Sequence, residues 1–280
     1  MPELPEVETV CRGLAARLEG RRFRRVIQRR KDLRFPLPAR FAARLEGRRV
    51  ERIIRRAKYM LFHLDDGMVV LGHLGMTGRM LVGTAMPEEL EAHDHLIFET
   101  DDGTVVRFND ARRFGCFDLV SGSKLSKHRL LAGLGPEPLD GAFTGPVLAA
   151  TLKGKKTPIK AAILDQRVVA GVGNIYASEA LFRAGLSPRR LARTVQGDRA
   201  NALAQSIKDV LAEAIAAGGS SLRDYVQTDG ELGYFQHKWA VYERAGKACP
   251  GCDCDFEKNG GIKRMAQSGR STFYCPRRQR

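Results

Sequence analysis

The chain has 280 residues, 43% of them hydrophobic, and its 47 Lys plus Arg outweigh 32 Asp plus Glu to give a formal charge of +15. That length accommodates two modest domains, or one domain with an appendage, and no apolar run is long enough to cross a bilayer. A positive excess of this size attracts polyanions and favours nucleic acid as partner; a membrane surface is disfavoured because no basic amphipathic helix stands out.

The N-terminus, Met-Pro-Glu-Leu-Pro-Glu, is acidic where a secretory signal is basic and then apolar, so a cytoplasmic protein is expected. Val7, Val10, Leu14 and Leu18 recur at helical spacing and predict a helix over residues 5–18, stopped at Gly20. From residue 21 to about 120 short apolar runs alternate with Gly, Asp and Pro. Met68–Leu71, Leu96–Phe98 and Val105–Phe108, the last after an Asp-Asp-Gly turn, read as strands of an antiparallel sandwich or barrel. Gly133-Leu-Gly-Pro-Glu-Pro-Leu139 punctuates the chain as a linker. Beyond it the period becomes helical. A helix over 177–184 is entered from the Gly-rich turn at 171–174, and another carries Leu203, Ile207, Val210, Leu211 and Ile215 before Gly218-Gly219. The expected class is α+β and multidomain: an N-terminal antiparallel β-sandwich with an N-terminal helix (1–134), a helical region (135–240), and a C-terminal tail (241–280).

Four of the six cysteines, Cys249, Cys252, Cys254 and Cys275, crowd into that tail, which is too short for its own core. In a cytoplasmic protein such clustering points to metal rather than disulfide. Cys11 and Cys116 read as small core residues. The N-terminus has two readings. Pro2 and the glutamates after it suit the start of a helix. Alternatively, removal of Met1 frees a secondary amine whose pKa of roughly 8 leaves far more of it neutral than a lysine at roughly 10.4. Such an amine can attack a sugar C1′ and form an iminium, with Glu3 and Glu6 nearby for proton transfer.

Several motifs in order along the chain resemble one family. They are Pro2-Glu-Leu-Pro-Glu-Val-Glu-Thr9, Arg56-Ala-Lys-Tyr59, His73-Leu-Gly-Met76, His93-Asp-His95, Asp110-Ala-Arg-Arg-Phe-Gly115, Leu134-Gly-Pro-Glu-Pro138, Val172-Gly-Asn-Ile-Tyr-Ala-Ser-Glu179 and Arg270-Ser-Thr-Phe-Tyr-Cys275. Together they resemble formamidopyrimidine-DNA glycosylases, the bacterial enzymes of base excision repair that excise oxidised purines from duplex DNA and then cut the strand by β,δ-elimination. The resemblance implies a helix–two-turn–helix DNA-binding domain in the middle region and a zinc-finger β-hairpin at the end.

It also implies roles, position by position. Pro2 would be the Schiff-base nucleophile and Glu3 the acid/base at the sugar; Lys58 would support β-elimination, and Arg270 would serve δ-elimination. Met76, Arg112 and Phe114 would form the wedge that replaces an everted base. Phosphate contacts would come from Lys58, His93, Arg112, Lys155, Lys160, Asn174 and Arg270, with Asn174 opening a helix whose N-terminus also favours phosphate. Residues 220–230 match a lesion-capping loop. His93 and His95 share one face if extended, a geometry open to a metal pair, although no further ligand sits at a telling spacing. The resemblance further implies a monomer that works on double-stranded DNA at the nucleoid.

The tail departs from the family pattern of two Cys-x-x-Cys pairs. Arg278 stands in place of the fourth cysteine, and arginine does not ligate zinc there. Three outcomes are open: Cys254 completes a site with Cys249, Cys252 and Cys275; water or a distant residue completes it; or zinc is weak or lost. Among rival classes, endonuclease VIII-like glycosylases share the fold but prefer oxidised pyrimidines, and Leu4 with the full wedge set favours the purine enzymes. A non-catalytic DNA-binding module would not need Pro2, Glu3 and Lys58 together. A zinc base deaminase would need a His-x-Glu before Cys249, which is absent.

Overall fold

The computed structural model describes residues 1–220, 228, 232–252 and 256–280. It resolves into two compact units, Met1–Ala132 with Ala217–Tyr234, and Gly133–Ala216 with Phe235–Arg280. The first boundary falls at the start of the Gly- and Pro-rich linker read from the sequence.

In the first unit α1 (Leu4–Leu18) precedes β1 (Phe23–Gln28) and the short α2 (Phe41–Leu45). There follow β2 (Val50–Arg56), β3 (Tyr59–Leu64), β4 (Met68–His73), β5 (Arg79–Gly83), β6 (Asp94–Thr100), β7 (Val105–Asn109) and β8 (Cys116–Ser121). Among the described residues these strands make two antiparallel four-stranded sheets, ordered β1-β6-β7-β5 and β2-β3-β4-β8. Alternating apolar positions close the sheets on one core. It takes Val7, Val10, Leu14 and Leu18 from α1, and Phe62, Phe98, Phe108 and Phe117 from the strands. The expected sandwich with an N-terminal helix is what forms. Cys11 and Cys116 are buried there, with thiols pushed up to about 12 and about 11, chiefly by burial.

The second unit holds α3 (Gly145–Leu152), α4 (Ile159–Leu164), α5 (Asn174–Arg183) and α6 (Asp198–Ala216), then the hairpin of β9 (Lys263–Gln267) and β10 (Arg270–Tyr274). Leu203, Ile207, Val210 and Leu211 form the buried stripe of α6, and Arg183 of α5 grips Glu213 of α6 through two hydrogen bonds of 2.7 and 2.8 Å. The hairpin borrows its core: Ile262, Phe273, Cys249 and Cys275 pack with Val241 and with Phe182 of α5. Its turn, Ser268-Gly269, has positive φ at both residues (49° and 72°), the twist that suits a two-residue antiparallel connection. No helix among the described residues is long and apolar enough to cross a membrane.

His73 ends β4, where its Nδ1 accepts the Gly75 N–H at 2.9 Å. Burial, then the positive charges of Lys58 and Arg34, hold its pKa down at about 4 rather than 6.5. The native state therefore refuses a proton that the unfolded chain accepts below pH 6.5. Stability from this group is complete above pH 6.5 and lost as pH falls toward 4. With 1.36 kcal/mol per pK unit and a discount for partial exposure, the loss is about 2 kcal/mol. His73→Asn keeps an acceptor for Gly75 but cannot titrate. Urea unfolding of both proteins from pH 7.5 to 4.5 should show that extra loss in the wild type alone, and parallel profiles would exclude it.

Candidate active site and nucleic-acid interface

The N-terminal residues form an ordered point rather than a loose tail. Met1 is 51% exposed, whereas Pro2 is buried and Glu3, the N-cap of α1, is 4% exposed. The Glu3 N–H donates to Glu6 Oε2 at 2.8 Å, the return half of a capping box. Glu6 Oε1 accepts the Ser220 N–H at 2.8 Å, which anchors the segment after α6 to the start of α1. Both Glu6 oxygens thus hold backbone, and the reading of Glu6 as a spare proton carrier gives way to a positioning one. A 15-residue helix aims its positive end at position 2, a field that disfavours charge on an amine there.

Lys58 occupies the two-residue turn between β2 and β3 and is 6% exposed. Its neighbour Ala57 has φ 53°, a left-handed conformation unusual for a residue with a side chain. The turn is braced by Arg55, whose Nη1 donates to the Ala57 carbonyl at 3.0 Å while its Nε donates to Glu8 of α1 at 2.9 Å. The Lys58 turn is therefore fixed to the same helix that presents Pro2 and Glu3.

Two loops place Met76, Arg112 and Phe114 together. Gly75 (φ 65°) lies so close to the Phe114–Gly115 backbone that a Cβ on it would come within 2.3 Å of the Phe114 carbonyl carbon. Asp110, fully buried, binds both loops: Thr77 Oγ1 donates to Oδ1, and the Gly115 N–H donates to Oδ2 at 2.8 Å. On this base Met76 (38% exposed) and Phe114 (43%) project, and the Arg112 guanidinium lies 4.6 Å from the Phe114 ring centroid. An exposed thioether, an exposed ring and a stacked cation form a surface suited to a gap in stacked bases. Asp110 has no role in the sequence reading, although its place at the head of the Asp-Ala-Arg-Arg-Phe-Gly motif marks it as a turn residue. Exposed His93 leads into β6, and its carbonyl accepts the Asp110 N–H. His95 is buried with Nε2 at 2.8 Å from the Asp110 carbonyl, so one nitrogen a metal pair would need faces this loop instead.

In the second unit Asn174 begins α5, and its Nδ2 donates to the Ser271 carbonyl at 3.0 Å. Lys155 is half-buried in the loop before α4, and Arg270 is exposed at the start of β10. Lys160 departs from the expected phosphate contact. It is 1% exposed, and its Nζ donates to Asn174 Oδ1 (2.7 Å), Thr272 Oγ1 (2.8 Å) and the Ser271 carbonyl (3.0 Å). A buried ammonium with three acceptors is a clamp between α4, α5 and β10 rather than a surface cation. Glu179, fully buried, likewise takes the N–H groups of Ala240, Val241 and Tyr242 at 2.9, 3.0 and 2.8 Å. Its carboxyl is raised by burial, against the pull of those three donors.

The sulfur atoms of Cys249, Cys252 and Cys275 lie within 4.8 Å of one another, with Cys252 and Cys275 at 3.6 Å. Thiolates on a tetrahedral zinc, each about 2.3 Å from the metal, stand roughly 3.8 Å apart. Cys249 and Cys275 are free thiols and Cys252 is disulfide-bonded, so the three would fit three corners of such a site once Cys252 is reduced. Cys254 lies outside the described residues, as does most of the expected capping loop at 220–230.

Comparison with known proteins shows what the chain as a whole resembles. Residues 1–117 match the formamidopyrimidine-DNA glycosylase N-terminal domain and residues 134–226 the H2TH domain of the same glycosylases. The formamidopyrimidine-DNA glycosylase of Rhodospirillum centenum is 61% identical over 290 aligned residues, and that of Rhodospirillum rubrum 59% over 281, each spanning 100% of both chains. The crystal structure of the MutM (Fpg) protein from Thermus thermophilus superposes with a TM-score of 0.86 at 42% identity, covering 99% of this chain and 98% of that one. A complex between Lactococcus lactis Fpg and an abasic site containing DNA gives 0.87 at 32%, with 99% of each chain covered. The chain belongs to the formamidopyrimidine-DNA glycosylase family.

Proposed function

We propose that this protein excises oxidised purines (8-oxoguanine and formamidopyrimidines) from double-stranded DNA and then cuts the strand at the abasic sugar. The observation that carries this reading is the buried Pro2–Glu3 pair at the positive end of α1. Once Met1 is removed, Pro2 offers a neutral secondary amine. The amine attacks C1′ as the bond to the damaged base breaks, and Glu3 protonates the sugar so that the ring opens to an iminium. The iminium acidifies the C2′ proton. Loss of that proton expels the 3′ phosphate with Lys58 assisting; a second elimination, served by Arg270, releases the 5′ phosphate.

Met76, Arg112 and Phe114 fill the space left by the everted nucleotide, at a point where unstacking costs roughly a few kcal/mol. Lys58, His93, Arg112, Lys155, Asn174 and Arg270 take phosphates, while Lys160 acts by holding Asn174 and β10. The working parts are 1–134 for chemistry, 135–240 for DNA binding through the helix–two-turn–helix, and 241–280 for the hairpin. The named glycosylase relatives, and the abasic-site DNA bound by the Lactococcus lactis protein, support this reading. The soft sulfur donors favour zinc as the tail's metal, a structural ion held by Cys249, Cys252 and Cys275, with Cys254 as fourth ligand. The protein acts as a cytoplasmic monomer on the nucleoid.

Borohydride should trap a covalent adduct on duplex carrying 8-oxoguanine opposite cytosine; a protein that binds this duplex but never yields an adduct is a binding module instead. Pro2→Gly should slow strand cutting by about 100-fold or more while DNA affinity stays within about threefold, because the amine acts in the chemical step. A large loss of affinity would instead assign Pro2 a structural role. Duplex binding should weaken with salt at a log–log slope of about −0.9 per phosphate neutralised by Lys or Arg, hence about −4 for Lys58, Arg112, Lys155 and Arg270. A flat response would remove the phosphate assignments.

A further inference from the structure

The residue that departs from the family's cysteine pattern is not idle. Arg278 follows Cys275 by three positions, and its own N–H donates to Cys275 Sγ at 3.4 Å. Its guanidinium turns back into the second unit. Nη1 donates to the Gly251 carbonyl at 2.6 Å, Nε donates to the Phe182 carbonyl at 3.2 Å, and Cζ lies 4.9 Å from the Phe182 ring centroid. One planar cation thus joins three segments: the Cys249–Cys252 knuckle, the last turn of α5 and the C-terminal turn. The negative end of α5 favours a cation at this place. Gly251 accommodates it, since a Cβ there would lie 2.9 Å from both Nη1 and Phe182 Cζ.

The surrounding ties do not need a metal either. Gln279 takes the Cys275 N–H at 2.8 Å and donates to the Leu186 carbonyl at 3.0 Å, and the Arg280 N–H reaches the Gly185 carbonyl at 3.0 Å. Phe273 and Ile262 pack on Phe182 and Val241. At its other end the hairpin is gripped by Lys160 through Ser271 and Thr272.

We propose that Arg278, at the position where the family pattern has its last cysteine, closes the base of the C-terminal hairpin without metal, so that the hairpin bearing Arg270 keeps its fold when metal is withdrawn. A guanidinium needs no deprotonation to work and is charged at every accessible pH. The link it makes is therefore indifferent to metal supply. Lysine would not replace it, because a point charge reaches one carbonyl at a time and does not stack as a planar fork does.

Hydrogen exchange of the β10 amides, with strands of the first unit as the reference for global folding, tests this without any reference to catalysis. In wild type, chelator should change protection of Arg270–Tyr274 by less than about threefold. Arg278→Ala and Arg278→Lys should each lose about tenfold or more in chelator while the first unit stays protected. Arg278→Cys should make the hairpin metal-dependent, protected with zinc and open without it. Loss of β10 protection in wild type on chelation alone would overturn the proposal, and so would an Arg278→Ala hairpin that stays protected in chelator.

Discussion

Burying the Lys160 ammonium commits the second unit to a particular arrangement. A charge on a side chain only 1% exposed is tolerated only if each of its protons finds an acceptor, and the three nearest come from α5 and β10. Satisfying them fixes the start of α5 against the hairpin, and with it the Asn174 amide. Glu179 repeats the logic with opposite sign, gathering three successive N–H groups from the segment that leads to the hairpin. Removing one partner would leave a buried charge under-satisfied, which typically costs about 1–3 kcal/mol or more.

The first unit uses carboxylates in the same way. Asp110 holds the Gly75 and Phe114 loops at one point, Glu6 holds Ser220 to the start of α1, and Asp94 takes the Glu91 N–H at 2.9 Å in the loop before β6. In each case loop backbone that would otherwise wander is bound to a buried acidic group on or beside a regular element. Exposed side chains such as Met76 and Phe114 then project from loops with little freedom left.

Much of this is legible in the chain itself. The α1 stripe, the strand segments read at 68–71, 96–98 and 105–108, the linker at 133 and the long helix ending before Gly218 follow from periodicity and turn chemistry, and the observed strands extend those segments by one to four residues. Lys160 differs from its expected place for a physical reason. Lysine defaults to the surface, and the acceptors that bury this one lie 14 and 112 positions away, beyond any local pattern. Asp110 is visible as part of a motif but not as a hub, since its partner Thr77 stands 33 residues earlier. The absent fourth cysteine is evident at once. What replaces it is not, because Arg278 acts through the carbonyls of Gly251 and Phe182, which no sequence motif encodes.

The stacking of Arg112 on Phe114 has an energetic corollary. A guanidinium loose in solvent would surrender rotamer freedom at the moment it met an unpaired base, typically about 0.5–1.5 kcal/mol per side chain. Here the ring already restrains it, and the Arg112 N–H is tied to Thr77. That entropic penalty is absorbed when the chain folds, so the exposed cluster of Met76, Arg112 and Phe114 stands preorganised for whatever stacks on it.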